Sequence, residues 1–171
     1  MKYERVCIEA IECALPPEIV TSEELEARLA PLYDRLKLPY GRIEHMTGVV
    51  ERGLWERGEL PGDQNVRTCA KLLATTGVDP QKVGAFIHAS VCRDYQEPAT
   101  ACDVHRRLGL GPECVVFDVS NACLGLLTGA IQIANMIELG QIEAGIVVGT
   151  ETSRALMETT IEELNLSLIH I

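Results

Sequence analysis

The stretch Phe117-Asp118-Val119-Ser120-Asn121-Ala122-Cys123-Leu124-Gly125-Leu126-Leu127 reads as an apolar strand that runs into a sharp turn and opens a long helix with a cysteine at its start. A helix N-terminus carries partial positive charge and unpaired N–H groups, which favour a thiolate and lower its pKa. The same amides can receive an oxyanion. Cys123 therefore has what acyl transfer from a thioester requires, a nucleophile with donors aimed at the carbonyl oxygen. A free cysteine is also among the most commonly buried residues, so position alone leaves a structural role open.

Working outward, strands and helices alternate. Residues 114–119 form the strand that enters the turn, residues 123–139 the helix that leaves it, and residues 144–150 a further strand. Upstream, residues 82–90 are a nearly continuous apolar run, the pattern of a strand buried on both faces. Pro98 sits where a helix can begin, and residues 99–108 carry it. Earlier still, residues 63–76 read as a helix ended by Gly77, and residues 6–14 as a first strand stopped by Pro16-Pro17. Thr21 and Glu24 have capping-box spacing at the head of a helix that runs to about Lys37, with Pro31 placed to break or kink it. Residues 39–62 hold five of the 14 glycines and read as a loop with a short extended piece at Val49-Val50-Glu51-Arg52.

This alternation predicts an α/β fold, layered α-β-α around a mostly parallel, mixed sheet with right-handed crossovers. The helix over 123–139 is apolar nearly all round, with Leu126, Leu127, Ile131, Ile133, Met136 and Ile137, and such a helix must be covered on every side. The expectation is that one covering layer is missing from the chain or comes from a partner.

With 171 residues, 47% hydrophobic and 23% charged, the chain has the composition of one globular domain with an adequate core. Its formal net charge of −10 argues against a nucleic-acid surface. No apolar run approaches the roughly 20 residues of a membrane helix, and the N-terminus lacks a signal-peptide core, so cytoplasm is the default. Seven cysteines without a C-x-x-C pair suggest neither a zinc site nor a disulfide framework, with Cys92 and Cys102 the one conceivable pair. An anionic ligand would need local cations, and Arg42, Arg52 and Arg57 form the visible cluster.

Three motifs in order, Thr47-Gly48-Val49-Val50-Glu51-Arg52, Ala122-Cys123-Leu124-Gly125 and Ile146-Val147-Val148-Gly149-Thr150-Glu151, resemble the N-terminal half of thiolase-superfamily condensing enzymes of the ketoacyl synthase III group. The resemblance runs from about residue 4 to about residue 165. It implies the N-terminal half of a thiolase-like fold over residues 1–165, incomplete without its C-terminal half. The stretch Ser90-Val91-Cys92-Arg93-Asp94-Tyr95-Gln96-Glu97-Pro98-Ala99-Thr100-Ala101 is similar to the corresponding segment of the OleA branch, which begins long-chain olefin biosynthesis by joining two fatty acyl-CoAs in a non-decarboxylative Claisen condensation. That branch has its catalytic glutamate at the Glu-Pro of this segment, which here is Glu97. Malonyl-using synthases carry an apolar residue there.

The chemistry accounts for the difference. Decarboxylation generates a carbanion without a base, whereas an acyl-CoA with no carboxylate to lose needs a group to remove its α-proton, and a carboxylate of raised pKa in a dry pocket can serve. The resemblance implies that Cys123 is acylated and that Glu97, supplied across a homodimer, is the base. The family's catalytic His and Asn belong to the C-terminal half, and none of His45, His88, His105 or His170 lies in its His motif. CoA thioesters are substrates and no cofactor or metal is implied. Many synthases of the group hold the adenine end of CoA with Trp and Arg ahead of the Thr-Gly; this chain has Arg42 and Met46, leaving Arg42 as the candidate CoA contact.

Three alternatives remain at this level: a decarboxylating β-ketoacyl-ACP synthase III, an enzyme like hydroxymethylglutaryl-CoA synthase, and a non-catalytic truncated paralogue that only dimerises. Residues 166–171, Leu-Ser-Leu-Ile-His-Ile, match the translation of a transposon end used in sequencing libraries, so this tail is expected to be non-native.

Overall fold

In the computed structural model, which describes residues 2–166, the chain runs through β1 (Glu18–Thr21), α1 (Ser22–Arg28), α2 (Ala30–Leu36), α3 (Arg42–Thr47), β2 (Glu51–Leu54), α4 (Pro61–Thr76), β3 (Val83–Ala89), α5 (Thr100–Leu108), β4 (Val115–Val119), α6 (Gly125–Glu138), β5 (Ala144–Val148) and α7 (Arg154–Leu166). It divides into two units. One comprises the described part of Met1–Ala14 with Glu59–Glu151, and the other Leu15–Gly58 with the described residues from Thr152 onward.

The first unit is built on β3. Parallel ladders join it to β4 on one side and β5 on the other, giving the order β4-β3-β5. Alternation along β3 feeds two cores, as expected of a strand with both faces covered. Phe86 packs with Cys69, Ala101, Val104, Ile146 and Val148 on the side of α4 and α5. Ala85, Ile87 and Ala89 pack with Ile133 on the side of α6. The α-β-α layering and the parallel sheet read from the sequence are both present. Close approach of α6 to the sheet depends on Gly129, where a Cβ would lie 2.6 Å from Val147 Cγ2.

Only one side of α6 is covered. Gly125, Gly129 and Ile133 are buried, whereas Leu126 is 49% and Leu127 62% exposed. The all-round apolar sequence thus leaves an open leucine face among the described residues.

The strand expected over residues 6–14 does not form. That backbone joins no ladder among the described residues and is tied by side chains instead. Glu138 accepts from the Glu4 and Arg5 amides, and Glu12 bonds Lys71 at 2.6 Å and Thr75 at 3.1 Å. Without a partner strand two of its large apolar residues stay wet, Ile8 at 79% and Ile11 at 82% exposure. Val6–Ala10, β5, α4 and α6 line a half-open apolar pocket of about 480 Å³.

In the second unit, Thr21 and Glu24 form the expected capping box, with Thr21 Oγ1 accepting the Glu24 amide at 3.1 Å and Glu24 Oε2 accepting the Thr21 amide at 2.7 Å. The single helix expected to Lys37 is two, α1 and α2, with Pro31 in the first turn of the second. β1 pairs antiparallel with β2, which lies at Glu51–Leu54, two residues beyond the expected extended piece. The expected loop also contains α3. Its first amides are held from a distance: the Glu26 carboxylate, 2% exposed, accepts from Gly41 and Ile43 and from the Tyr33 hydroxyl.

All seven cysteines are free, so Cys92 and Cys102 are not paired. His88 is a buried strand residue as expected. His105, expected on a helix surface, is half-buried, its Nε2 lying 2.9 Å from the Gly111 carbonyl. The expected non-native tail lies outside the described residues except for Leu166. Among the described residues no helix is long and apolar enough to cross a membrane.

Candidate active site

Cys123 is exposed and follows β4 by a turn of unusual backbone. Ala122 has φ 44°, in the left-handed region that costs a residue with a Cβ about 1–2 kcal/mol. Asn121 is non-helical, and Ala122–Leu124 form a single 3-10 turn before α6 begins at Gly125. The expectation that Cys123 sits in the first turn of the long helix is corrected by two residues: the α-helical path cannot start until the chain has left Ala122. Asn121 Nδ2 donates to Thr128 Oγ1 at 3.0 Å, and that hydroxyl donates to the Leu124 carbonyl at 2.9 Å, tying the turn to the helix it precedes. Strain held at such a turn is a mark of functional sites.

Glu97 is exposed, in the segment between β3 and α5 and joined to Pro98 by a cis peptide bond. Among the described residues no hydrogen bond or ion pair joins it to Cys123. Both lie in the first unit. Their segments are connected through Asp118, the penultimate residue of β4, whose side chain is 4% exposed. Its two oxygens accept the Thr100 and Ala101 amides at 2.8 and 2.9 Å. One carboxylate on the strand that leads to Cys123 thus caps the helix that follows Glu97. Arg93 Nε, at 4.0 Å from Asp118, adds a distant cation.

The rest of the Glu97 segment is also held by side chains. Glu151 accepts the Val91 and Cys92 amides at 2.9 and 3.1 Å. Burial acts to raise the Glu151 pKa; the Val91 amide, the Cys92 side chain, the Ser90 hydroxyl and the Cys92 amide outweigh it, and the carboxyl is held below its ordinary range. Asp94 donates its amide to Thr100 Oγ1 at 3.0 Å, and its carboxylate accepts the Gly62 amide at 2.9 Å. These supports were not found in the sequence, where their one trace is a polar residue inside an apolar strand, Asp118 in β4 and His88 in β3.

Arg42 is exposed on α3, in the second unit. Of the other two cations in the predicted cluster, Arg57 pairs with Glu158 at 3.0 Å and Arg52 donates to Ser22 Oγ at 3.2 Å. Among the described residues no cluster of His, Cys, Asp and Glu is suited to a metal ion. Thiol chemistry is divided by burial: Cys69 is pushed up to about 12 and Cys114 to about 11 by desolvation, whereas Cys123 stands in solvent.

The family model for the thiolase N-terminal domain matches residues 62–164, which include Glu97, Asp118, Cys123 and Glu151. An acyl-CoA:acyl-CoA alkyltransferase from Shewanella oneidensis is 44% identical over 164 residues, covering 96% of this chain and 47% of that protein. The crystal structure of cerulenin-bound OleA from Xanthomonas campestris superposes with a TM-score of 0.93 at 33% identity, over 98% of this chain and 49% of that one. A 3-oxoacyl-(acyl carrier protein) synthase III, FabH, from Xanthomonas oryzae gives a TM-score of 0.93 at 35% identity, over 99% and 50%. The chain spans about half the length of the relatives it matches. It belongs to the thiolase family and carries that family's N-terminal domain.

Proposed function

We propose that the chain is the N-terminal half of an enzyme that joins two fatty acyl-CoAs head to head without decarboxylation, working as a homodimer in the cytoplasm. The Cys123 thiolate attacks the first acyl-CoA at its carbonyl carbon and CoA leaves as a thiolate. The Glu97 carboxylate of the partner subunit takes an α-proton from the second acyl-CoA. The resulting carbanion attacks the acyl-Cys123 carbonyl, a carbon–carbon bond forms, and Cys123 departs to give a β-ketoacyl-CoA. Base catalysis and a covalent acyl intermediate split one difficult step into two easier ones. A His and an Asn from the C-terminal half complete the site, and Arg42 contacts CoA.

The observation that carries this reading is Glu97 itself, on a segment clamped by Glu151, Thr100 and Asp118 beside the strand that delivers Cys123. The likeness to the Shewanella alkyltransferase supports it. The open leucine face of α6, Leu126 and Leu127, fits a covering C-terminal half, and a layer there would provide the dry surroundings that the base requires. The equal TM-score to FabH favours a second reading, a decarboxylating synthase III.

Full-length Glu97→Ala tests the role of the base. It is expected to abolish condensation while acylation of Cys123, followed by intact mass, continues. Equal loss of both steps would contradict the assignment.

A further inference from the structure

The proposed reaction makes no use of a chain of polar side chains buried within the first unit. Thr150 donates its hydroxyl to Asn65 Oδ1 at 2.7 Å. Asn65 Nδ2 lies 2.8 Å from His88 Nδ1, and His88 Nε2 lies 3.0 Å from the Cys92 carbonyl oxygen. Asn65 and His88 are both 0% exposed.

The directions of these bonds are determined by the groups at the two ends. A carbonyl oxygen only accepts, so His88 Nε2 carries the proton and donates to Cys92. Nδ1 is then an acceptor and takes an N–H from Asn65, whose oxygen takes the Thr150 hydroxyl. Each donor meets an acceptor, and the imidazole is held as the Nε2–H tautomer.

The end point of the chain gives it meaning. Cys92 is five residues before Glu97, at the point where Glu151 and Ser90 also grip the backbone: Cys92 donates its amide to Ser90 Oγ at 3.1 Å, and Ser90 donates its hydroxyl to the Thr150 carbonyl at 2.5 Å. Apolar residues of the same size at His88 and Asn65 would keep the buried area but take these partners from the Cys92 carbonyl and the Thr150 hydroxyl. What a fully satisfied polar chain adds is one defined arrangement.

We propose that Thr150, Asn65 and His88 form a positioning chain that sets the loop carrying Glu97, and with it the reach of the Glu97 carboxylate to the α-carbon. The proposal rests on the reading of Glu97 as the base. None of the three residues touches substrate; they act through the Cys92 carbonyl. A displacement of about 1 Å in a reacting group lowers a rate by about 100-fold, so loss of the chain is expected to slow deprotonation and spare the earlier acylation.

The test uses the full-length enzyme with a saturated long-chain acyl-CoA. Three quantities are read: acylation of Cys123 by mass, the rate of condensed product, and amide hydrogen exchange over residues 90–97. His88→Leu is expected to lower condensation about 10- to 100-fold while acylation stays within about threefold, and to speed exchange over 90–97. His88→Gln, whose amide supplies one donor and one acceptor, is expected to recover most of the lost rate. Thr150→Val removes a single hydroxyl and guards against a His88→Leu chain that does not fold; it should show the same split, more weakly. A parallel fall of acylation and condensation in His88→Leu and Thr150→Val overturns the proposal, as does faster exchange with unchanged condensation. Glu97→Gln separates the two levels. If it keeps condensation, the reading of Glu97 as base fails and the positioning chain falls with it. If it loses condensation while His88→Leu and Thr150→Val keep it, only the positioning chain fails.

Discussion

Replacing Asp118 by Asn removes a charge and one acceptor from the join between the Cys123 strand and the Glu97 segment. Both carboxylate oxygens accept amides at the head of α5, at 2.8 and 2.9 Å, and the side chain is 4% exposed. Hydrogen bonds to a charged acceptor contribute about 1.5–3 kcal/mol, and an anion at a helix N-terminus about 0.3–1 kcal/mol more. The Asn oxygen can keep one amide, but its NH₂ meets the other, donor against donor. The expected loss is about 2–4 kcal/mol, a large share of a total of roughly 5–15 kcal/mol. Denaturant unfolding of the full-length variant measures the energy, and amide exchange at Thr100 and Ala101 locates it. Arg93→Ala is the control, because a partly exposed cation at 4.0 Å contributes within about 0.5 kcal/mol. An Asp118→Asn variant within about 0.5 kcal/mol of wild type, with unchanged exchange in α5, would refute the reasoning.

Iodoacetamide at neutral pH should label Cys123 well before Cys69, which is 1% exposed and pushed up to about 12; comparable labelling rates, followed by peptide mapping, would contradict a presented nucleophile. Glu26 makes folding pH-dependent in the acid range. Burial acts to raise its pKa, but the amides of Ile43 and Gly41, the Tyr33 hydroxyl and the Arg42 amide outweigh burial and hold it below 4.5. Its contribution is therefore present above about pH 4.5 and lost as pH falls through the folded value, and Glu26→Gln should flatten that part of the stability curve. Gly129→Ala puts a Cβ at 2.6 Å from Val147 Cγ2 and 3.3 Å from Ile87 Cγ2, neither of which can swing aside inside the sheet. Overpacking of about 1–3 kcal/mol exceeds the helix-propensity gain of up to about 1 kcal/mol, so the variant should melt lower; a higher melting temperature would show that α6 can move off the sheet.

The residues that decided the fold from sequence were those whose signal is local. The apolar run of β3, the strand-turn-helix at Cys123 and the Thr21–Glu24 capping box each specify their element with near neighbours, and each is present. What failed depended on distant groups. Residues 6–14 have the composition of a strand, but a strand needs a ladder, and no sequence pattern supplies the partner. α3 lacks periodicity, and its first amides are held by Glu26, fifteen residues before Gly41. Cys123 and Glu97 could be proposed from sequence because each sits in a motif that resembles those of the condensing enzymes. The supports around them could not, because Asn65, His88, Asp118 and Glu151 meet only through the sheet. Their trace in sequence is a polar residue where an apolar one would be expected, as at Asp118 in Val-Val-Phe-Asp-Val, and that trace does not name a partner.

The central claim is that two acyl-CoAs are joined with Glu97 as base and no carboxylate is lost. The most direct measurement gives the full-length enzyme a saturated long-chain acyl-CoA as sole substrate and follows CoA release together with the ketone formed when the β-ketoacyl-CoA is hydrolysed to its β-keto acid and that acid decarboxylates. The expected result is sustained CoA release and ketone formation from that single substrate, abolished in Cys123→Ala. Turnover only after addition of malonyl-ACP would contradict the account and establish the decarboxylating synthase in its place.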